Sequence, residues 1–125
     1  MIRAILVTHG TLGQSLYDAA ESVLGPQSGA SVLSNSGLSL EQIQTKVRNL
    51  LTDDPTLIMV DLCGGSPFMA CSSLGHLSAK TAIVSGVNLP MLLSYFTKRD
   101  SLDLTDLSKM VERDAVRGIQ SHQGE

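Results

Sequence analysis

Ile2-Arg3-Ala4-Ile5-Leu6-Val7-Thr8-His9-Gly10 opens the chain with five apolar residues in the six from Ile2 to Val7. Such a run predicts a strand buried on both faces, the kind found in parallel sheets rather than in half-solvated antiparallel ones. Directly after it, Leu12, Leu16, Ala19, Ala20, Val23 and Leu24 recur with helical spacing, and Gly25-Pro26 stops them. Strand followed at once by helix is the βα unit of an α/β fold, and it puts His9 where the strand ends. In open parallel sheets, ligands collect outside the carboxyl ends of the strands. His9 there is either a nucleophile or proton carrier, or a histidine hydrogen-bonded in a turn; this segment alone does not choose.

The same alternation continues outward. Ala30 to Leu33 reads as a short strand. Ser39 opens a helix with Gln42 three residues on, a capping-box pattern. Leu40, Ile43, Val47, Leu50 and Leu51 give that helix one apolar stripe, and Asp53-Asp54-Pro55 ends it. Thr56 to Val60 is another buried-strand run, closed by Asp61. In Leu62-Cys63-Gly64-Gly65-Ser66-Pro67, Ser66 suits an N-cap and Pro67 a first helical residue, with the helix running to about Gly75. Thr81 to Ser85 is the next strand, Gly86-Val87-Asn88-Leu89 a loop, and Pro90 to about Phe96 a helix. Leu104, Leu107, Val111 and Ala115 mark a last helix ending at Gly118, and Ile119 to His122 reads as a short terminal strand. The repetition predicts one doubly wound α/β domain over residues 1–125, a mainly parallel four-stranded sheet with helices on both faces.

Bulk composition narrows the function classes. At 125 residues there is room for one core and not two. A net charge of −3, no basic run and 3% aromatic residues argue against a nucleic-acid partner. No apolar run reaches the length of a membrane span, and no signal peptide precedes the first strand, so direct membrane insertion is not expected and a cytoplasmic location is. Cys63 and Cys71 are eight apart, which fits neither a zinc knuckle nor a redox pair, and they read as free, buried thiols in a reducing compartment. No metal-ligand cluster, Walker A motif or GxGxxG is present, and no cofactor is expected.

Three strand ends carry polar residues or glycine: Thr8-His9-Gly10, Asp61 with the Gly64-Gly65-Ser66 turn, and Gly86 with Asn88. On one sheet edge they can converge. Asp61 ends an apolar strand, where a carboxylate is costly unless paired. It either accepts the Nδ1–H of His9, leaving Nε2 with a free lone pair, or caps local backbone N–H groups. The glycine turn leading into a helix either binds an anion or is a capped turn with no ligand. It is not the hydrolase elbow G-x-S-x-G, because Phe68 stands where the last glycine belongs, which disfavours a hydrolase built on Ser66. Histidine, carboxylate and anion cradle together suit reversible histidine phosphorylation without a metal. His76, near a helix end, and His122, near the frayed terminus, are poorer candidates and read as surface residues.

Val7-Thr8-His9-Gly10, Val60-Asp61-Leu62-Cys63-Gly64-Gly65-Ser66-Pro67-Phe68 and Gly86-Val87-Asn88-Leu89-Pro90-Met91-Leu92 resemble, in order and spacing, the mannose-type enzyme IIA domain of the bacterial phosphoenolpyruvate-dependent sugar phosphotransferase system. The resemblance implies that His9 accepts a phosphoryl group from the histidine-containing phosphocarrier protein and passes it to a histidine on a IIB component for sugar uptake. It implies that Asp61 partners His9, and that Ser66, in the turn with Gly64 and Gly65, and Gly10 beside the histidine bind the phosphate. It implies a homodimer exchanging a short antiparallel C-terminal edge strand, here roughly Gly118 to His122. Two positions depart from the family: an aromatic is frequent where Cys63 stands, and an asparagine where Met69 stands. Those departures bear on partner docking rather than on the phosphotransfer centre. No fused IIB domain follows, so the acceptor is expected on a separate protein, or else the phosphorylation state of His9 is itself a regulatory output.

Overall fold

The computed structural model describes residues 1–73 and 80–124. Its elements alternate as the apolar pattern predicts: β1 (Arg3–Thr8), α1 (Leu12–Leu24), β2 (Ala30–Ser34), α2 (Leu40–Leu50), β3 (Thr56–Val60), α3 (Ser66–Ser72), β4 (Thr81–Val84), α4 (Leu89–Lys98) and α5 (Leu104–Arg117). The four strands form one parallel sheet in the order β2-β1-β3-β4. The two central strands are those with the most continuous apolar runs. β3 is buried at every residue and β1 at all but its first, whereas β2 and β4 at the edges are half-buried throughout.

Alternation along the strands divides the core. Ala4, Leu6, Leu57 and Met59 face α1, α4 and α5, meeting Ala20, Met91, Leu92, Tyr95, Leu107 and Val111. Ile5, Val7, Ile58 and Val60 face the other way onto Ile43 and Val47 of α2 and Ala70 and Cys71 of α3. Local chemistry sets the helix starts. Ser39 Oγ accepts from the Gln42 N–H at 3.1 Å, and Gln42 Oε1 accepts from the Ser39 N–H at 2.8 Å, completing the capping box. Asn88 and Asp103 cap α4 and α5 in the same side-chain-to-backbone manner.

From β1 the chain winds to β2 on one side, then crosses to β3 and β4 on the other. The carboxyl ends of β1 and β3 therefore flank the switch point of the sheet, where a crevice opens between adjacent connections running to opposite faces.

Residues after α5 form no strand in the single chain, so the segment from Gly118 to His122 pairs with no ladder among the described residues. A strand there needs a neighbour, and the sheet of this chain already ends at β2 and β4. Among the described residues no helix is long and apolar enough to cross a membrane. His76 and the expected end of α3 near Gly75 lie outside the described residues.

Candidate functional site

His9 and Asp61, the residues immediately after β1 and β3, meet across the switch point. The first turn of α1 is drawn onto the end of β1 because buried Thr8 Oγ1 accepts the Gly13 N–H at 2.7 Å. A Cβ on Gly13 would stand 2.8 Å from that oxygen and 3.1 Å from Val32, so glycine permits the approach. Gly10 turns the chain with a φ of +56°, a left-handed value that glycine takes without strain. His9 is thereby held at the rim, its side chain 44% exposed.

One oxygen of Asp61 receives both donors of His9. Oδ2 accepts the backbone N–H at 2.9 Å and lies 2.9 Å from Nδ1. A carboxylate only accepts, so Nδ1 carries the hydrogen and, in the neutral ring, the lone pair sits on Nε2. Asp61 is largely covered, with its side chain 10% exposed, and its Oδ1 is buried without a partner among the described residues. Burial pushes the Asp61 carboxyl up, but the backbone and ring hydrogen bonds from His9 outweigh it and hold the group below its ordinary value.

The far edge of the imidazole rests on the glycine turn. A Cβ on Gly65 would come within 2.9 Å of His9 Cε1 and 3.5 Å of Nε2. Gly64 has a φ of +89°, which bends Leu62-Cys63-Gly64-Gly65 back under the ring. Gly65, with extended backbone, is the N-cap of α3, and Ser66 is its first helical residue. That corrects the expectation that Ser66 caps the helix: its hydroxyl is turned toward Asn35 instead of onto its own helix. N–H groups in the first turn of a helix have no partner within that helix, and here they begin beside Nε2.

The third expected strand end contributes differently. Val87 N–H donates to Val60 O at 3.0 Å, so the loop after β4 buttresses the end of β3. Asn88 is spent on capping: Oδ1 accepts from Met91 N–H at 2.9 Å, and Nδ2 donates to Ala115 O at 3.1 Å. The residue brought to His9 in its place is Asn35, immediately after β2. Its Oδ1 accepts the Gly10 N–H at 3.1 Å, and its Nδ2 lies 3.5 Å from Ser66 Oγ. The strand-end rule that picks out His9 and Asp61 picks out Asn35 equally, once β2 is counted with the other strands. The Gly10 N–H is thus already engaged. Ser66 Oγ is joined to Asn35 and not to His9, so no serine–histidine nucleophile pair forms among the described residues. His122 lies on the exposed segment after α5.

No three His, Cys, Asp or Glu side chains come together among the described residues in a way that would hold a metal ion. What the site offers is a half-exposed imidazole with a free lone pair on Nε2, a largely covered carboxylate on the opposite ring nitrogen, and a glycine-rich turn beneath.

Known proteins resemble this chain in sequence and in overall fold. Residues 3–112 match the family model EIIA-man, described as the PTS system fructose IIA component. The chain is 30% identical over 129 residues to the PTS system mannose-specific EIIAB component of Escherichia coli strain K12, covering 96% of this chain and 40% of that longer relative. It is 30% identical over 112 residues to the PTS system fructose-specific EIIA component of Bacillus subtilis strain 168, covering 86% of this chain and 77% of the relative. Among solved structures, phosphotransferase system component EIIA from Streptococcus agalactiae superposes with a TM-score of 0.92 at 26% identity, over 97% of each chain. With a switch-point histidine held by a strand-end aspartate, and a match that runs from its first strand into its last helix, the chain belongs to the EIIA-man family of sugar phosphotransferase system IIA components.

Proposed function

We propose that this chain is a phosphocarrier. Its His9 accepts a phosphoryl group from the histidine-containing phosphocarrier protein and passes it to a IIB component that serves sugar uptake. The observation that carries this reading is the 2.9 Å contact between His9 Nδ1 and Asp61 Oδ2, which leaves Nε2 free at the rim. In the forward step the Nε2 lone pair forms the new P–N bond while the donor's P–N bond breaks, and the Nδ1 proton stays on His9. The ring gains positive charge, which the carboxylate of Asp61 stabilises. Gly64, Gly65 and Ser66 receive the phosphoryl oxygens on the turn beside Nε2, and Gly10 shapes the opposite wall.

Exposed Leu12, Leu62 and Met69 stand on the segments that carry His9 and the turn, and they supply apolar area for a small, transient interface. Donor and acceptor use that face in succession. The exchanged C-terminal strand belongs to the same proposal. Exposed Val116 and Ile119 on and after α5 favour a second subunit there, and sedimentation at equilibrium tests it, with a monomer at micromolar concentration as the contrary result.

The test of the carrier reading is direct. Incubation with phosphoenolpyruvate, enzyme I and the phosphocarrier protein should add about 80 Da, one phosphoryl group, in an acid-labile form. The gain should vanish in His9→Ala. No gain in the wild type, or a gain that survives the substitution, overturns the reading. Rapid onward transfer to a cognate IIB separates a carrier from a module whose phosphorylation is only a signal.

A further inference from the structure

Asn35 ties together three strand ends around His9. Its backbone is pinned on both sides: its N–H donates to Thr8 O at 3.0 Å, and its carbonyl accepts the Leu38 N–H at 3.0 Å. Its side chain reaches across the crevice from β1 to α3. The Gly10 N–H donates to the amide oxygen, and this settles the orientation of the amide, because an N–H needs an oxygen opposite it. The NH2 group therefore faces Ser66 Oγ, 3.5 Å away. At that length the contact steers the hydroxyl rotor rather than locking it.

The consequence lies with the hydroxyl proton. A serine hydroxyl has one hydrogen to give and lone pairs to receive. With Asn35 donating to Ser66 Oγ, the serine's own hydrogen is directed away from Asn35 and is available to an anionic oxygen on the turn. We propose that Asn35 is a positioning residue for phosphoryl transfer at His9, aiming the Ser66 hydroxyl at the phosphoryl group through its amide NH2 while holding the Gly10 turn through its amide oxygen. The proposal rests on the carrier reading given above, and it makes the end of β2 part of the centre.

The test is a double-substitution cycle on the intact protein, read as the single-turnover rate of phosphoryl transfer from the phosphocarrier protein. Unfolding in urea is measured alongside. Ser66→Ala should slow transfer by about tenfold, the rate equivalent of one hydrogen bond, and Asn35→Ala by a smaller factor. The double variant should fall short of the product of the two single effects, since the Asn35 NH2 acts through that hydroxyl while its amide oxygen acts on Gly10. Asn35→Asp keeps the acceptor for Gly10, and so guards against loss of the turn. It should nevertheless transfer more slowly than Asn35→Ala, because Ser66 then gives its hydrogen to the new carboxylate and like charge meets the phosphoryl group.

Multiplying effects in the double variant overturn the proposal. So does an Asn35→Ala rate equal to wild type, or an Asn35→Asp protein faster than Asn35→Ala. Any of these with a normally phosphorylated wild type leaves the carrier reading standing. A wild type that gains no phosphoryl group overturns both.

Discussion

The sheet carries a polar cluster at each end, and the two are finished differently. At the amino ends of β1 and β2, Tyr95 Oη donates to Ile2 O at 2.7 Å, and Arg99 Nη1 donates to Ser28 O at 2.6 Å and to Tyr95 Oη at 3.1 Å. The guanidinium also lies 5.2 Å from the ring centroids of Tyr95 and Phe96, a cation–π arrangement. Arg99 is only 7% exposed, and no carboxylate pairs with it among the described residues. At the carboxyl ends, both donors of His9 go to one oxygen of a largely covered carboxylate, and the other ring nitrogen faces out. The amino-end cluster turns inward onto backbone carbonyls, and its buried nitrogen without a hydrogen-bond partner among the described residues, Arg99 Nε, is sealed from solvent. The carboxyl-end cluster also leaves a buried atom without a partner among the described residues, Asp61 Oδ1, but it carries a ring that is 44% exposed, with the Nε2 lone pair turned outward. A polar cluster becomes a chemical site through the unspent group it presents to solvent.

Substitutions can break this contrast, and the largest effect on stability falls at the closed end. Arg99→Ala removes a buried cation, its packing on two rings and the partner of Ser28 O. It should cost about 3 kcal/mol of unfolding free energy and leave the phosphotransfer rate unchanged. A rate loss matching the stability loss would mean that the two ends are coupled. At the open end Asp61→Asn should do the reverse: keep the fold and slow transfer by at least roughly tenfold, because the ring loses the group that fixes its tautomer and stabilises its positive charge. Unchanged transfer in that variant would reduce Asp61 to a cap.

Gly65→Ala is gentler. The backbone there is ordinary, but the new Cβ would meet His9 Cε1 at 2.9 Å, so the ring must tilt. Transfer should fall by about tenfold, because small misplacements of a reacting group are costly, with a stability loss of about 1 kcal/mol at the N-cap. Equal rates would show that the ring has room which the geometry denies.

Acid sharpens the same comparison. The Asp61 carboxyl sits below its usual value of 3.8 in the folded state, despite the upward push of burial. The unfolded chain therefore binds this proton more readily, and the stabilisation is present above that usual value. It is lost as pH falls through the lower folded one. The stability difference between wild type and Asp61→Asn should shrink over that acid range.

Smallest of all is a labelling contrast. Cys63, expected to be buried, is instead exposed on the turn and should be alkylated in the native protein. Cys71, on the buried face of α3 with its thiol pushed up to about 12 by that burial, should react only on unfolding. Native alkylation of Cys71 would show that α3 opens.

Much of this arrangement is legible in the sequence. The apolar runs from Ala4 to Val7 and from Leu57 to Val60 mark the central strands, because strands covered on both faces lack polar alternation. The Ser39 box is readable because its partners lie three residues apart. The expected Ser66 cap fails for a local reason: serine and glycine both suit an N-cap, and the backbone of Gly65 takes the place. Asn88 stands at an expected strand end yet does not reach His9, because the start of α4 and the end of α5 occupy its amide.

Composition and periodicity by themselves determined the α/β class, the positions of the four strands and the delivery of His9 and Asp61 to strand ends, because each depends on neighbours within a few residues. Only the tertiary structure decided which ends meet. His9 and Asp61 are 52 residues apart, Asn35 and Ser66 31 apart, and Tyr95 and Ile2 93 apart. The crossover order β2-β1-β3-β4 brings the first two pairs together at the switch point, and the packing of α4 under β1 makes the third. Hydrogen-bond partners so distant are chosen by sheet order and helix packing, which no local window of sequence contains.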